Sequence, residues 1–270
     1  MFNKLEQYLF YIFLFSIPFQ TRKILYFDGW RFNEWQSVSV YATDILLVIL
    51  LVFWAVNYLL TRKFSIKPKP SIFKNSDFYL FIFLVISAIS IKNSGNYPIS
   101  WFQWLKLIEF SIFYWYLSRY SFEKFGLFNS CLTLVLSGLF QAVIAIAQFL
   151  KQSSIGFRYL GESIINNEFS GVASFYLPDG AKIIRSYGTM PHPNVLASFL
   201  FLSIFSFYFI YLYSRLQSEH RPIAGWLDKF MLVSYGVILF AFFTTFSRVI
   251  IFIWFISFFD SFPNAEDFVL

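Results

Sequence analysis

The chain has 270 residues, of which 58% are hydrophobic, 24% aromatic and only 13% charged, with a formal net charge of +6. A soluble domain carries about 25% charged residues, so an ordinary water-soluble globule is excluded and an all-α, polytopic integral membrane helix bundle is expected. The apolar runs are continuous rather than alternating, which favours helices over a barrel, and the basic residues fall in short connections, which reads as membrane topology rather than a nucleic-acid surface.

In chain order, the first apolar run is Leu5 to Phe19. Gln20-Thr21-Arg22-Lys23 gives no small-residue cleavage site, so this run reads as an uncleaved first span rather than a signal peptide. A connection with Arg22, Lys23, Asp28, Arg31 and Glu34 leads to a second span, Tyr41 to Leu60. Asp44 opens that span, where a carboxylate suits the positive end of the helix dipole, and capping is its expected role. The most basic connection follows, with Arg62, Lys63, Lys67, Lys69 and Lys74 around Pro68 and Pro70. Such a cluster in a short loop belongs on the cytoplasmic side, which puts the amino terminus there too, although Arg22, Lys23 and Arg31 oppose that orientation.

The third span, Phe78 to Ile91, then runs outward, the fourth, Trp101 to Tyr120, returns, and the fifth, Phe125 to Leu150, goes out again. The fourth holds Lys106 and Glu109, three positions apart and hence on one helix face. They form either a mutually neutralising pair or part of a cavity lining, because intramembrane charges face partners or cavities. The long polar connection 151–193 would lie outside, between helices 1–5 in residues 1–150 and helices 6–8 in residues 194–270, for about seven or eight spans in all. After the sixth span, Asn194 to Tyr213, come Arg215, His220, Arg221 and Lys229. Phe230 to Phe243 is then interrupted at Thr244-Thr245-Phe246-Ser247-Arg248. The apolar stretch from Val249 to Phe259 rises only about 17 Å, short of a hydrocarbon core of about 30 Å, so Arg248 is expected at a rim or in a broken helix. Ending on so short a span, the chain reads as truncated or as one half of a split protein. Cys131, the single cysteine, leaves no disulfide framework and no cysteine metal site, and no metal or other cofactor is expected.

Arg185-x-x-Gly188 followed by Pro193-Asn194 and a span, then Thr245-x-Ser247-Arg248 after the next span, resembles the O-antigen ligase and O-antigen polymerase family of membrane proteins. Pro18, Asp44 and Leu105-Lys106-Leu107-Ile108-Glu109 extend the resemblance more loosely into the amino-terminal half. The resemblance implies a multi-pass protein of the bacterial inner membrane that moves a glycan from a polyprenyl diphosphate to a hydroxyl of lipid A core, another glycan or a protein. Its partners would be that lipid-linked donor, the acceptor and the bilayer, with no nucleic acid.

Arg185 matches the family arginine that would hold the diphosphate, because a guanidinium gives planar, charge-assisted contacts to phosphate. Arg158, placed by position in the same loop, and Arg248 are further diphosphate candidates. Gly188, Pro193, Asn194 and Ser247 carry the motif's shape. His192 has a side chain suited to a general base, but the sequence favours the simpler reading, in which His192-Pro193-Asn194 starts the sixth span with Asn194 as its N-cap. The family's proposed base lies in a later external loop, so the resemblance leaves the catalytic set incomplete and an inactive fragment is one expectation. The alternative function is a non-catalytic transporter or flippase component for lipid-linked glycans.

Overall fold

The computed structural model describes residues 2–29, 33, 36–61, 75–216 and 225–261. The basic cluster from Arg62 to Lys74, together with Arg31, Glu34, His220, Arg221 and the tail from residue 262, lies outside the described residues. The described chain is mostly helical: α1 (Phe2–Ser16), α2 (Ala42–Thr61), α3 (Asn75–Ser90), α4 (Tyr97–Tyr116), α5 (Phe122–Phe125), α6 (Leu127–Lys151), α7 (Pro193–Leu216), α8 (Gly225–Thr244) and α9 (Arg248–Ser261). Each expected apolar run is helical. The all-α reading needs one correction, because the connections carry two small antiparallel sheets, β1 (Arg22–Phe27) with β2 (Ser37–Tyr41) and β3 (Ser174–Tyr176) with β4 (Lys182–Ile184). Ser37-Val38-Ser39-Val40 alternates strictly, which is the period of a strand, and Pro178-Asp179-Gly180 supplies the turn between β3 and β4.

Among the described residues, four stretches are long and apolar enough to cross a membrane: Ala42–Leu59, Ser76–Asn93, Leu127–Lys151 and Pro193–Leu212. Val52 on α2 and Ile86 on α3 are 56% and 60% exposed, which suits helices whose surroundings are hydrocarbon. The helix starts follow local chemistry. Asp44 stands in the first turn of α2, and its Oδ2 accepts from the Tyr41 backbone N–H at 2.8 Å, which is the reach-back half of a capping box. Asn96 caps α4 through Oδ1, which accepts from the Ile99 N–H at 3.2 Å, with Pro98 in the first turn where its missing N–H costs nothing.

The chain divides into two compact units. The first comprises residues up to Phe13 and Arg22–Gly126, the second Leu14–Thr21 and everything from Leu127. The division falls at Gly126, and α6 packs on α7 and α8. In the first unit, α3 and α2 both pack on α4, and Trp104 Nε1 donates to the Leu84 carbonyl at 3.1 Å. A five-residue π-turn, Leu117–Ser121, follows α4, and beside it Glu6, fully buried, accepts from Lys124 Nζ at 2.7 Å, Asn57 Nδ2 at 3.0 Å and the Tyr116 hydroxyl at 3.2 Å.

In the second unit the core joins Val135, Ala142 and Ala145 of α6 to Leu196, Leu200 and Ile204 of α7 and Ile238, Ala241 and Phe242 of α8. Within a bilayer, apolar side chains gain nothing by leaving lipid for protein, so close packing of small residues holds helices together. Gly138 shows this directly, since a Cβ there would meet Ser203 Oγ at 2.3 Å. The Ser203 hydroxyl lies between the two helices, 3.0 Å from the Phe199 carbonyl of its own helix and 3.2 Å from the Leu134 carbonyl of α6.

Candidate functional site

The segment from Ile184 to Thr189 is held on the end of α6 by three glutamines. Gln141 and Gln148, seven positions apart, share one face of α6, and Gln152 stands just past its end with a φ of 56°. Gln152 Oε1 accepts from the Ile184 N–H at 2.7 Å. Gln148 Oε1 accepts from the N–H groups of Tyr187, at 3.1 Å, and Gly188, at 2.8 Å, while its Nε2 donates to the Gly188 carbonyl at 2.9 Å and to Glu162 Oε1 at 2.8 Å. Gln141 Oε1 accepts from the Thr189 N–H and its Nε2 donates to Thr189 Oγ1, both at 2.9 Å. Gln141 and Gln148 are buried, so leaving these bonds unmade would cost the desolvation of each amide.

Glu162 is the carboxylate at the base of this network. Besides Gln148 it accepts from the backbone N–H groups of Ile155, at 2.7 Å, Gly156, at 2.8 Å, and Phe157, at 2.5 Å. Burial pushes its pKa up, but the bonds from Gln148 and these three N–H groups outweigh burial and leave it below the usual carboxylate range.

Arg185 leads directly into this held segment. Its Nε donates to the Thr245 carbonyl at 2.6 Å, its Nη2 donates to Asn194 Oδ1 at 2.6 Å, and the next residue's N–H donates to the Thr244 carbonyl at 3.2 Å. These two carbonyls lie at the carboxyl end of α8, where a helix has acceptors without partners and a favourable field for a cation. The interruption predicted at 244–248 is therefore a real break, with Phe246 at a φ of 48° and α9 beginning at Arg248. Of the five N–H groups on a guanidinium, Arg185 uses two, which leaves three without protein acceptors among the described residues.

Arg248 stands close enough to Arg185 for their charges to repel. Burial lowers the Arg185 pKa, Tyr187 opposes the change and Arg248 adds to it. The Arg248 side chain is exposed and makes no hydrogen bond or ion pair among the described residues. The Tyr187 hydroxyl accepts from the Ala173 N–H at 2.6 Å, and its ring centroid lies 6.2 Å from that of His192. Burial raises the Tyr187 pKa, with the Ala173 bond and Arg185 opposing.

Gly188 has a φ of 61°, Pro193 begins α7, and Ser247 is buried just before α9. The start of α7 differs from the expected one. His192 precedes Pro193, and its Nδ1 accepts from the Asn194 N–H at 3.1 Å, so His192 is the capping side chain and the Asn194 side chain is free to engage Arg185. Arg158 is not gathered in. It lies exposed in the short helical turn Arg158–Leu160, and its guanidinium makes no hydrogen bond or ion pair among the described residues. The glutamines and Glu162 were not singled out from the sequence; two glutamines seven apart in an apolar run, with a third just beyond it, were the available signal.

The first unit has its own polar group. Lys106 pairs with Asp44 and, at 3.4 Å, with Glu109 Oε2, so the cap of α2 is also an ion-pair partner. These three side chains and apolar ones including Val48, Ile49, Phe102 and Leu105 line a groove of about 440 Å³. Glu109 Oε1 is buried and makes no hydrogen bond among the described residues. Lys106 and Glu109, expected either as a pair or as a cavity lining, stand as an ion pair on the wall of this groove. Among the described residues no group of three His, Cys, Asp or Glu side chains is placed to hold a metal. No family model, curated protein or solved structure matches the chain.

Proposed function

We propose that this protein is a membrane glycan transferase of the O-antigen ligase type, in which Arg185 and Arg248 hold the diphosphate of a polyprenyl-linked glycan donor. The observation that carries the reading is two guanidiniums, the charge of one acting on the other, with no carboxylate partner among the described residues. Arg185 is fixed by two neutral oxygens, Arg248 is unpaired among the described residues, and their mutual repulsion is relieved by an anion between them. As the bond from the anomeric carbon to the diphosphate oxygen breaks, that oxygen takes the electron pair, and the preorganised cations stabilise the growing charge. The acceptor hydroxyl of lipid A core, another glycan or a protein bonds to the anomeric carbon as the old bond breaks, and its proton passes to the departing diphosphate, which is itself a base.

The reading includes seven or eight spans in the bacterial inner membrane, a cytoplasmic amino terminus and residues 151–193 on the outer side. It is supported by the four span-length helices, the apolar character of α1, α4, α8 and α9, and the motif resemblance. The full chain in membranes supplied with lipid-linked glycan tests it. Arg185→Ala should lower transfer by about 100-fold or more, the scale for removing a charge-stabilising donor. Normal transfer by that variant would remove Arg185 from the reaction. Flipping of the lipid-linked glycan by vesicles holding the wild-type chain, with no transfer, would make the protein a carrier instead.

A further inference from the structure

We infer that His192 is a hydrogen-bond donor to the same anion, a third ligand beside Arg185 and Arg248, and not a general base. The inference rests on the anion-binding reading above and adds a residue to it. A neutral imidazole has one N–H and one lone pair. The Nδ1 lone pair is occupied by the Asn194 backbone N–H at 3.1 Å, so the proton sits on Nε2, and Nε2 has no lone pair with which to take a proton from an acceptor. The tautomer that would free Nε2 as a base would set an Nδ1–H against the Asn194 N–H. It would also remove the cap from α7, whose first residue is Pro193.

The surroundings keep the ring neutral. Burial, then the charge of Arg185, lowers its pKa from the ordinary histidine value. Arg185 is the charged group acting on it, and Tyr187 is the titratable side chain against it. His192 is nonetheless exposed. The free group it offers is Nε2–H, on a residue tied to Arg185 through Asn194, which both of them bond. Diphosphate oxygens are acceptors only, which is the complement of such a donor.

Binding of inorganic pyrophosphate to the purified full chain, measured by titration calorimetry, tests this. His192→Ser keeps an acceptor for the Asn194 N–H, so α7 still starts normally, and it should weaken binding about tenfold, the scale of one hydrogen bond to a charged group. His192→Gln, whose amide N–H reaches about as far as Nε2, should stay within about threefold of wild type. The wild-type to His192→Gln affinity ratio should be flat above about pH 7.5, where a histidine that titrates below its ordinary value of about 6.5 carries no charge; the ratio also cancels the titration of pyrophosphate itself. Loss of binding in Arg185→Ala with wild-type binding in His192→Ser would keep the anion site and exclude His192 from it. Wild-type binding in Arg185→Ala would overturn the anion site itself. A ratio that rises steadily from about pH 9 down to about pH 7.5 would show His192 acting as a cation, contrary to the inference.

Discussion

Gly188 occupies a backbone position that a side chain would disturb twice over. Its φ of 61° is left-handed, and a Cβ there would come within 2.6 Å of Gln141 Oε1, the atom that accepts from the Thr189 N–H. Gly188→Ala should therefore lower stability by about 1–3 kcal/mol, the scale of backbone strain, and loosen the bonds that Gln141 and Gln148 make to the loop. Thermal unfolding in detergent would show it, and an unchanged melting temperature would mean the turn adapts without cost. Glu162 gives a pH-dependent counterpart. Its folded pKa is depressed, so its contribution to stability is complete above the unfolded value of about 4.3 and fades as pH falls toward the folded one. Glu162→Gln should melt lower than wild type at neutral pH, and the gap should close in acid. A gap of constant size down to about pH 3 would contradict the assigned role of the ionised carboxylate.

Helices and turns impose their own requirements. The fully buried Glu6 is neutralised by Lys124, which follows the π-turn after α4, and both of its oxygens are otherwise occupied by Asn57 and Tyr116. Removing only the lysine leaves a buried charge, so Lys124→Met should destabilise the protein by about 3–5 kcal/mol. The double change Glu6→Gln with Lys124→Met should recover much of the loss, because the amide no longer needs a counter-charge. Unfolding curves of the three proteins decide it, and equal stability of the single and double variants would refute the pairing argument. In the second unit, Gly138 plays the corresponding part for α6 and α7, where two backbones approach because neither presents bulk at the crossing.

At the scale of the whole molecule, the proposed topology predicts opposite fates for two connections. A reporter fused near residue 69 should behave as cytoplasmic, and one fused near residue 170 as external; the same fate for both would refute the alternating arrangement. The sequence alone located the long helices because the evidence for each lies within it: a continuous apolar run, opened by Asp44 in α2 and by His192-Pro193-Asn194 in α7. It also singled out Arg185, Gly188 and Arg248. The tertiary structure decided what surrounds them. Arg185 finds its acceptor 60 residues away on Thr245, Gln148 reads Tyr187 and Gly188 from 39 and 40 residues back, and Asn194 serves Arg185 while His192 caps the helix. A helix is stabilised by neighbours three and four positions away and can be read from a short window, whereas a buried amide or guanidinium is satisfied by whichever chain segment the fold brings beside it.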